Sequence, residues 1–65
     1  MPLLTVKTNV EVLKANELIE FLTDAIASAT GKPKTYVSVI LDDKKTMAIG
    51  GTLEPCAMIY LGADV

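Results

Sequence analysis

Histidine and arginine are absent from this 65-residue chain, and cysteine occurs once. A single cysteine excludes an internal disulfide, and the lack of histidine argues against a structural zinc site, so we expect neither a metal nor a cofactor. The net charge is −2, and lysine is the only basic residue type. Nucleic-acid-binding proteins usually present a basic face that carries arginine, so we expect no nucleic-acid partner.

Long apolar runs are also missing. The longest, residues 39–41 and 56–61, are far shorter than the about 20 residues that a membrane-spanning helix needs, so we expect no membrane partner. The first residues lack the basic and apolar pattern of a signal peptide, and a lone cysteine fits a reducing compartment. The expected location is the cytoplasm, although some proteins leave cells without a signal peptide.

The size of the chain predicts self-association. A chain of this length forms one small domain, residues 1–65, and buries only about 60% of its unfolded surface. Yet 51% of its residues are hydrophobic. Domains this small are usually stapled by disulfides or metals, or they oligomerise. Because the first two routes are excluded, we expect a homo-oligomer.

The residue pattern predicts an α/β (α+β) chain built on one βαβ unit. Residues 3–8 are rich in β-branched and apolar residues, which indicates a strand. Residues 16–29 show apolar positions at spacings of three and four, with Asn16 as the predicted N-cap and Gly31 as the stop signal. Residues 36–41 and 56–61 indicate two further strands, and residues 46–49 a short one that ends at Gly50 and Gly51.

A strand, a helix and a strand in this order predict a right-handed crossover that joins two parallel strands. One helix covers only one face of so small a sheet. We expect the other face to pack against a second subunit.

Pro2 follows Met1, and a small second residue normally permits removal of the initiator methionine. The chain would then begin with a secondary amine that accepts a proton, unlike the nitrogen of an internal proline. Burial and nearby cations lower the pKa of such an amine towards neutrality, where a general base works best. The alternative is that Pro2 only leads into an edge strand, where its missing N–H is harmless.

Several short segments occur in an order and spacing that, together with Met1-Pro2, resemble the N-terminal half of the macrophage migration inhibitory factor family of tautomerases. The match runs from residue 1 to about residue 61. It is carried by Met1-Pro2-Leu3-Leu4, Thr8-Asn9-Val10, Ala29-Thr30-Gly31-Lys32-Pro33, Tyr36-Val37, Met47-Ala48, Gly50-Gly51 and Glu54-Pro55-Cys56-Ala57.

The resemblance implies a keto–enol tautomerase that acts on phenylpyruvate-like or dopachrome-like acids, with Pro2 as the general base. It also implies that Lys32 binds the substrate carboxylate and that Tyr36 lies at the pocket wall. From the residues alone, Lys32 is a solvated lysine near the end of a helix, and Tyr36 is a strand aromatic that packs in the core. A non-catalytic cytokine-like or structural module of the same fold is the alternative function.

This sequence departs from the family in length. Family chains of the long type are almost twice as long, carry a second βαβ repeat and form trimers. Short relatives such as 4-oxalocrotonate tautomerase have one unit per chain and form hexamers. We therefore expect a hexamer first and a trimer next. A natural short form, an engineered half and a truncation all remain open.

Two further departures limit the chemistry. The short relatives use arginines for a diacid substrate, and this chain has none. The family's Cys-x-x-Cys pair has lost its second cysteine, so no dithiol chemistry is expected. Cys56 is predicted to be a small buried strand residue.

Overall fold

The computed structural model describes residues 1–62 and contains one helix against one sheet. In chain order the elements are strand β1 (Leu3–Thr8), helix α1 (Ala15–Thr30), a 3₁₀ turn (Lys34–Tyr36), strand β2 (Ser38–Asp42) and strand β3 (Ala57–Gly62). The predicted α/β class and βαβ unit are confirmed. No helix within these residues has the length and apolar content to cross a membrane.

The three strands form one sheet in the order β2-β1-β3. The central strand β1 pairs in parallel with β2, as predicted, with Leu3 opposite Ser38. It pairs in the antiparallel sense with β3, which places Leu4 opposite Leu61. Both edges of β1 are therefore occupied, and the outer edges of the sheet belong to β2 and β3.

The core lies on one face of β1. Leu4, Val6 and Thr8 alternate along the strand and are buried, while Lys7 on the other face is exposed. This alternation is the normal consequence of a strand covered on one side. Helix α1 approaches β2 and the 3₁₀ turn. The predicted open face of the sheet is thus present.

Helix α1 extends one residue beyond the predicted range at each end, and Gly31 is its stop signal as predicted. Gly31 takes a left-handed conformation (φ 70°) and donates its N–H to the carbonyl oxygen of Ala27 at 2.9 Å. At the other end Lys14 occupies the N-cap position without a side-chain hydrogen bond, and Asn16 lies inside the first turn. The prediction of Asn16 as the N-cap was wrong because Lys14 already carries the non-helical φ and ψ that define this position.

The strand predicted at residues 36–41 begins two residues later, at Ser38. The N–H of Tyr36 donates to the carbonyl oxygen of Pro33 at 2.9 Å, and the N–H of Val37 donates to that of Lys34 at 3.0 Å. These two N–H groups close a turn and are not available to β1. Tyr36 is also exposed, so its interpretation as a core strand aromatic was wrong.

The connection from β2 to β3 contains less strand than predicted. The expected strand at residues 46–49 is reduced to one isolated bridge between Ile49 and Thr52. Gly50 and Gly51 between them both have positive φ, 62° and 81°, as a tight two-residue hairpin turn requires. The last strand is displaced by one residue from the prediction. Cys56 precedes it and is half-buried, which corrects the expected buried strand position.

Asn9 fastens this connection to the end of β1. Its side-chain amide donates to the carbonyl oxygens of Leu53 (3.2 Å) and Glu54 (3.0 Å), and its Oδ1 accepts the N–H of Cys56 at 3.0 Å. The hydroxyl of Thr8 donates to the carbonyl oxygen of Cys56 at 2.7 Å. We call this set of hydrogen bonds the Asn9 clasp. It brings residues 53–56 alongside β1 and so starts the pairing of β3.

Candidate active site

Pro2 lies buried immediately before β1. Its carbonyl oxygen accepts the N–H of Ser38 at 3.0 Å. This hydrogen bond fixes Pro2 beside the start of β2, whereas the preceding Met1 is exposed. The backbone of Pro2 is therefore held by the sheet and is not part of a frayed end.

The three predicted site residues converge on one end of the sheet. Parallel pairing places the N-terminal ends of β1 and β2 side by side. Lys32 and Tyr36 lie in the segment that joins α1 to β2, so they arrive at the end where Pro2 lies.

Two neighbouring lysines differ in their surroundings. Lys34 forms an ion pair with Asp24 of α1, with 2.6 Å between Nζ and Oδ1. The hydrogen bond and the charge of Asp24 raise the pKa of Lys34 above its ordinary value. Within residues 1–62 this is the one ion pair, so the exposed Lys32 has no carboxylate partner there. Of the two, only Lys32 keeps a charge that no carboxylate of residues 1–62 pairs with.

The side chain of Tyr36 is 55% exposed. The 3₁₀ turn that carries it follows Pro33, whose extended backbone (φ −61°, ψ 147°) cannot continue a helix. The Lys34–Asp24 ion pair joins this turn to α1. Tyr36 is thus held at the rim of the site with its ring towards solvent, where a ligand or another protein surface can reach it.

Pro2, Lys32 and Tyr36 form an open rim without an enclosing cavity. Three depressions of about 360, 300 and 270 Å³ lie elsewhere on the described surface. The first is at the start of α1, the second on the open sheet face between β1 and β3, and the third between α1 and the 3₁₀ turn. None of the three is lined by Pro2, Lys32 or Tyr36. A substrate pocket at Pro2 needs walls beyond those that residues 1–62 of one chain supply.

The described residues also bear on metal chemistry. Within residues 1–62 no three side chains of the metal-binding types cluster closely enough to hold an ion. The groups that the fold brings to this end are instead an imino acid, an ammonium and a phenol. An ammonium can bind an organic acid, and the proline nitrogen can accept a proton only after removal of Met1.

One contact at this site was not predicted from the sequence. The N–H of Ser38 holds Pro2 through its backbone, and nothing in the identity of Ser38 indicates that contact. Knowledge of the strand register would have revealed it, because Leu3 opposite Ser38 places the preceding carbonyl within reach.

Comparison with known proteins places these features in a wider group. The family model described as Macrophage migration inhibitory factor (MIF) matches residues 1–63. Macrophage migration inhibitory factor of Rattus norvegicus is 39% identical over 62 residues, which are 94% of this chain and 54% of the relative. The homolog of Brugia malayi is 32% identical over the same shares of each chain. The chain thus spans about half the length of the curated relatives it matches.

Solved structures agree with this match. The macrophage migration inhibitory factor homologue of Prochlorococcus marinus superposes with a TM-score of 0.82 at 31% identity, over 88% of this chain and 51% of the other. The protein of Oncomelania hupensis superposes with a TM-score of 0.80 at 33% identity, over 91% and 44%.

Proposed function

Because this chain belongs to the macrophage migration inhibitory factor family, we propose that it is a keto–enol tautomerase of aromatic 2-keto acids such as phenylpyruvate. Pro2 acts as the general base after removal of Met1. Lys32 binds the substrate carboxylate, and Tyr36 borders the ring of the substrate. The activity needs no cofactor.

The observation that carries this proposal is the placement of Pro2. Its backbone is buried and held by Ser38 at the end of the sheet where Lys32 and Tyr36 arrive. A base must be fixed in position to accept a proton efficiently. The alternative that Pro2 only leads into an edge strand was wrong, because β1 is the central strand of the sheet.

The proposed reaction moves one proton and one electron pair. The neutral amine of Pro2 removes a proton from the carbon beside the keto group, and the C–H electron pair shifts to form the enolate. The protonated amine or solvent then delivers a proton to the enolate oxygen. The ammonium of Lys32 holds the carboxylate and keeps the reacting carbon near the amine.

The basicity expected of the Pro2 amine agrees with its proposed role as general base. An α-amino group has an ordinary pKa of about 8. Burial of Pro2 and the positive charge of Lys32 both disfavour the protonated amine, so both act to lower the pKa of the processed N-terminus. A pKa nearer neutrality leaves more of the base ready to accept a proton at physiological pH.

The test is conversion of phenylpyruvate between about pH 5 and 9, with removal of Met1 verified by mass. We expect the processed chain to accelerate the reaction about 10²–10⁴-fold. Insertion of one alanine between Met1 and Pro2 turns the amine into an amide and should abolish the acceleration. Pro2→Gly keeps a primary amine and should retain a remnant. An insertion variant as active as the parent chain would show that Pro2 is not the base.

The two lysines provide a matched pair for substrate binding. Lys32→Ala removes the unpaired ammonium and should weaken binding by about 1.5–3 kcal/mol, the range for a hydrogen bond to a charged group. Lys34→Ala removes a charge that Asp24 already neutralises and should leave substrate binding nearly unchanged. Equal loss in both variants would indicate a general effect of positive charge on substrate approach.

A homo-oligomer supplies the missing walls of the site in this proposal. The short relatives suggest a hexamer and the long ones a trimer, and native mass spectrometry distinguishes the two. The apolar, exposed strand β3 is the surface that we expect to be covered, because both edges of β1 are already paired. A folded monomer at micromolar concentration would remove the assembly and most of the pocket with it.

The alternative is a non-catalytic cytokine-like or structural module of the same fold. The openness of the rim around Pro2 favours it, since none of the three depressions described above is lined by that residue. A correctly processed, oligomeric chain that shows no conversion at any pH would support this module over the enzyme.

A further inference from the structure

Strand β3 turns one row of backbone groups away from the rest of the sheet. Successive residues of a strand direct their N–H and C=O groups to opposite edges. The N–H of Asn9 donates to the carbonyl oxygen of Cys56, and the register of β1 with β3 continues from that pair. The even-numbered residues of β3 therefore bond to β1. The outward N–H and C=O groups belong to Ala57, Ile59 and Leu61.

The pairing of β1 with β2 leads to the same assignment. The N–H of Ser38 donates to the carbonyl oxygen of Pro2, so the even-numbered residues of β1 bond to β2 and the odd-numbered ones bond to β3. β3 is the last strand of the sheet, and no strand within residues 1–62 pairs with its outer edge. Three N–H and three C=O groups of β3 are thus open to a further strand.

This edge lacks the features that usually keep exposed strands apart. β3 has no lysine, no proline and no charge, and its Ile59 is 69% exposed. The outer edge of β2 offers less, because only Val39 and Leu41 turn outward there and the strand ends at the charged Asp42. The edge of β3 is therefore the better template for pairing with another chain.

A second copy of this chain fits this edge in one register. If two β3 strands run antiparallel about a two-fold axis at Ile59, each Ile59 faces its own equivalent. Leu61 of each copy then lies opposite Ala57 of the other, so a large side chain meets a small one. All the outward N–H and C=O groups are paired in this register. An axis at Met58 or Tyr60 instead leaves one outward residue of each β3 without a partner in the other β3.

The side chains on the open face of the sheet also match in this register. Met58 of each copy lies opposite Tyr60 of the other. Side chains directly opposite each other on neighbouring strands interact, and methionine sulfur is attracted to aromatic rings. Because β3 carries no charge, the two strands meet without repulsion between like charges.

We propose that two copies of this chain pair through their β3 edges in this register and form one continuous six-stranded sheet. The inference rests on the proposed function, in which an oligomer completes the site, and it specifies the dimer from which that oligomer is built. Main-chain hydrogen bonds supply the affinity, as in other complexes that add a strand to a sheet edge. A two-fold pair can be part of a hexamer but not of a trimer.

The pairing also brings the second copy to the end of the sheet where Pro2 lies. The C-terminal end of β3 is beside the start of β1. β3 of the second copy is antiparallel to it, so Ala57 of the second copy arrives at this same end, about 10 Å to the side of β1. The loop that precedes it, residues 49–56 of the second copy, then bounds the site on the side away from Lys32 and Tyr36. A single chain has no such boundary there.

Disulfide trapping tests the register. In a Cys56→Ser background, Ile59→Cys places two thiols opposite each other, with Cα atoms about 5.5 Å apart, which a disulfide can span. Leu61→Cys is the matched control, because it lies on the same edge but its two copies are about 14 Å apart along the strands. With oxidised glutathione as the oxidant, we expect Ile59→Cys to form the linked dimer at least tenfold more readily. Equal linking in both variants would overturn the proposal.

Backbone N-methylation tests the hydrogen bonds themselves. In a synthetic chain, a methyl group on the nitrogen of Ile59 removes two symmetry-related bonds of the dimer and leaves the bonds to β1 in place. Methylation of Leu41, which turns outward on β2, is the matched control. By sedimentation we expect the dissociation constant of the dimer to rise at least tenfold in the first chain and less than twofold in the second. Equal loss in both chains would indicate pairing of β2 with β3 of another copy and would overturn the proposal.

These measurements need no turnover, so they separate this inference from the proposed function. A dimer in this register that converts no phenylpyruvate would sink the proposed function and leave the inference standing. A chain that converts phenylpyruvate as a monomer or a trimer would overturn the inference and leave the activity standing.

Discussion

Strands β1 and β3 lie side by side, have six residues each and yet differ in burial. β1 includes a lysine and two threonines and supplies the core residues Leu4 and Val6. β3 has no charged residue, and none of its residues is buried. Leu4 is 5% exposed, whereas its cross-strand partner Leu61 is 53% exposed.

The difference shows that position in the sheet, and not apolar content, decides burial in this small unit. β1 is central, with a paired strand on each edge. β3 is an edge strand whose Ile59 is 69% exposed on the same face as the core. Long, flat, apolar edge strands normally pair or are covered. The comparison therefore indicates β3 as the strand at which we expect another surface to pack.

The largest expected effect comes from truncating the two partners in turn. Leu4→Ala leaves a cavity in the core and should lower the free energy of unfolding by about 2–5 kcal/mol, enough to unfold much of so small a domain. Leu61→Ala removes a side chain that is already half in solvent and should cost clearly less. Urea denaturation at low protein concentration measures both changes.

The dependence of stability on protein concentration gives a second comparison of Leu4→Ala and Leu61→Ala. If β3 is covered by a second chain, the cost of Leu61→Ala should grow with concentration, because stability then includes association. Equal costs for the two variants in a monomer would contradict the burial described here.

The Asn9 clasp is the next test, because it fastens the exposed strand to the buried one. Asn9→Ala leaves the N–H of Cys56 and two carbonyl groups without their partner and should cost about 1–3 kcal/mol. Hydrogen exchange should accelerate first at Cys56 and along β3. Uniform acceleration that includes β2 would show that the clasp supports the whole sheet and not only its third strand.

A charge placed on β3 tests whether that strand is an interface. Met58→Lys adds the residue type that protects exposed sheet edges. We expect assembly to weaken at least tenfold, or about 1.4 kcal/mol, by sedimentation. Leu13→Lys is the matched control, since Leu13 is even more exposed but lies beside α1. A similar loss of assembly in both variants would point to overall charge as the cause.

The smallest effect is expected at the Lys34–Asp24 ion pair, which lies on the half of the molecule that α1 covers. Because the pKa of Lys34 is raised, the contribution of this ammonium to stability is fully present at neutral pH and is lost only as the pH rises above 10.5 through the raised pKa. Both side chains are well exposed, so Asp24→Asn should change the melting temperature less than any variant above. A large change at neutral pH would show that the pair anchors the 3₁₀ turn.

Local sequence signals predicted the fold where local chemistry decides it. β1 was predicted with its observed bounds, since its β-branched and apolar residues have no competing structure. Gly31 marked the end of α1 because only a left-handed residue closes a helix in this way. Asn16 and Tyr36 were misplaced because backbone hydrogen bonds to Lys14 and Pro33 decide those positions, and side-chain identity does not report them.

The candidate site also has a part that the sequence predicts and a part that it does not. The parallel β1–β2 pair, predicted from the order of elements, is enough to bring Pro2, Lys32 and Tyr36 to one end of the sheet. The walls of a pocket are not predictable from this chain, since the surfaces that would form them lie outside its described residues. The hydrogen bonds of the Asn9 clasp were not predicted because they join residues far apart in sequence.

The sheet order has a consequence for how the molecule folds. β1, α1 and β2 are consecutive and can associate through short connections, but the hydroxyl of Thr8 bonds a residue 48 positions away. Closing so long a loop costs entropy before its contacts form, and pairings between distant residues slow folding. We expect β1 and β2 to pair first and β3 to dock last. During synthesis the edge of β1 that pairs with β3 therefore stays unpaired until residues 57–62 have emerged. In that interval a neighbouring nascent chain can pair with this edge instead.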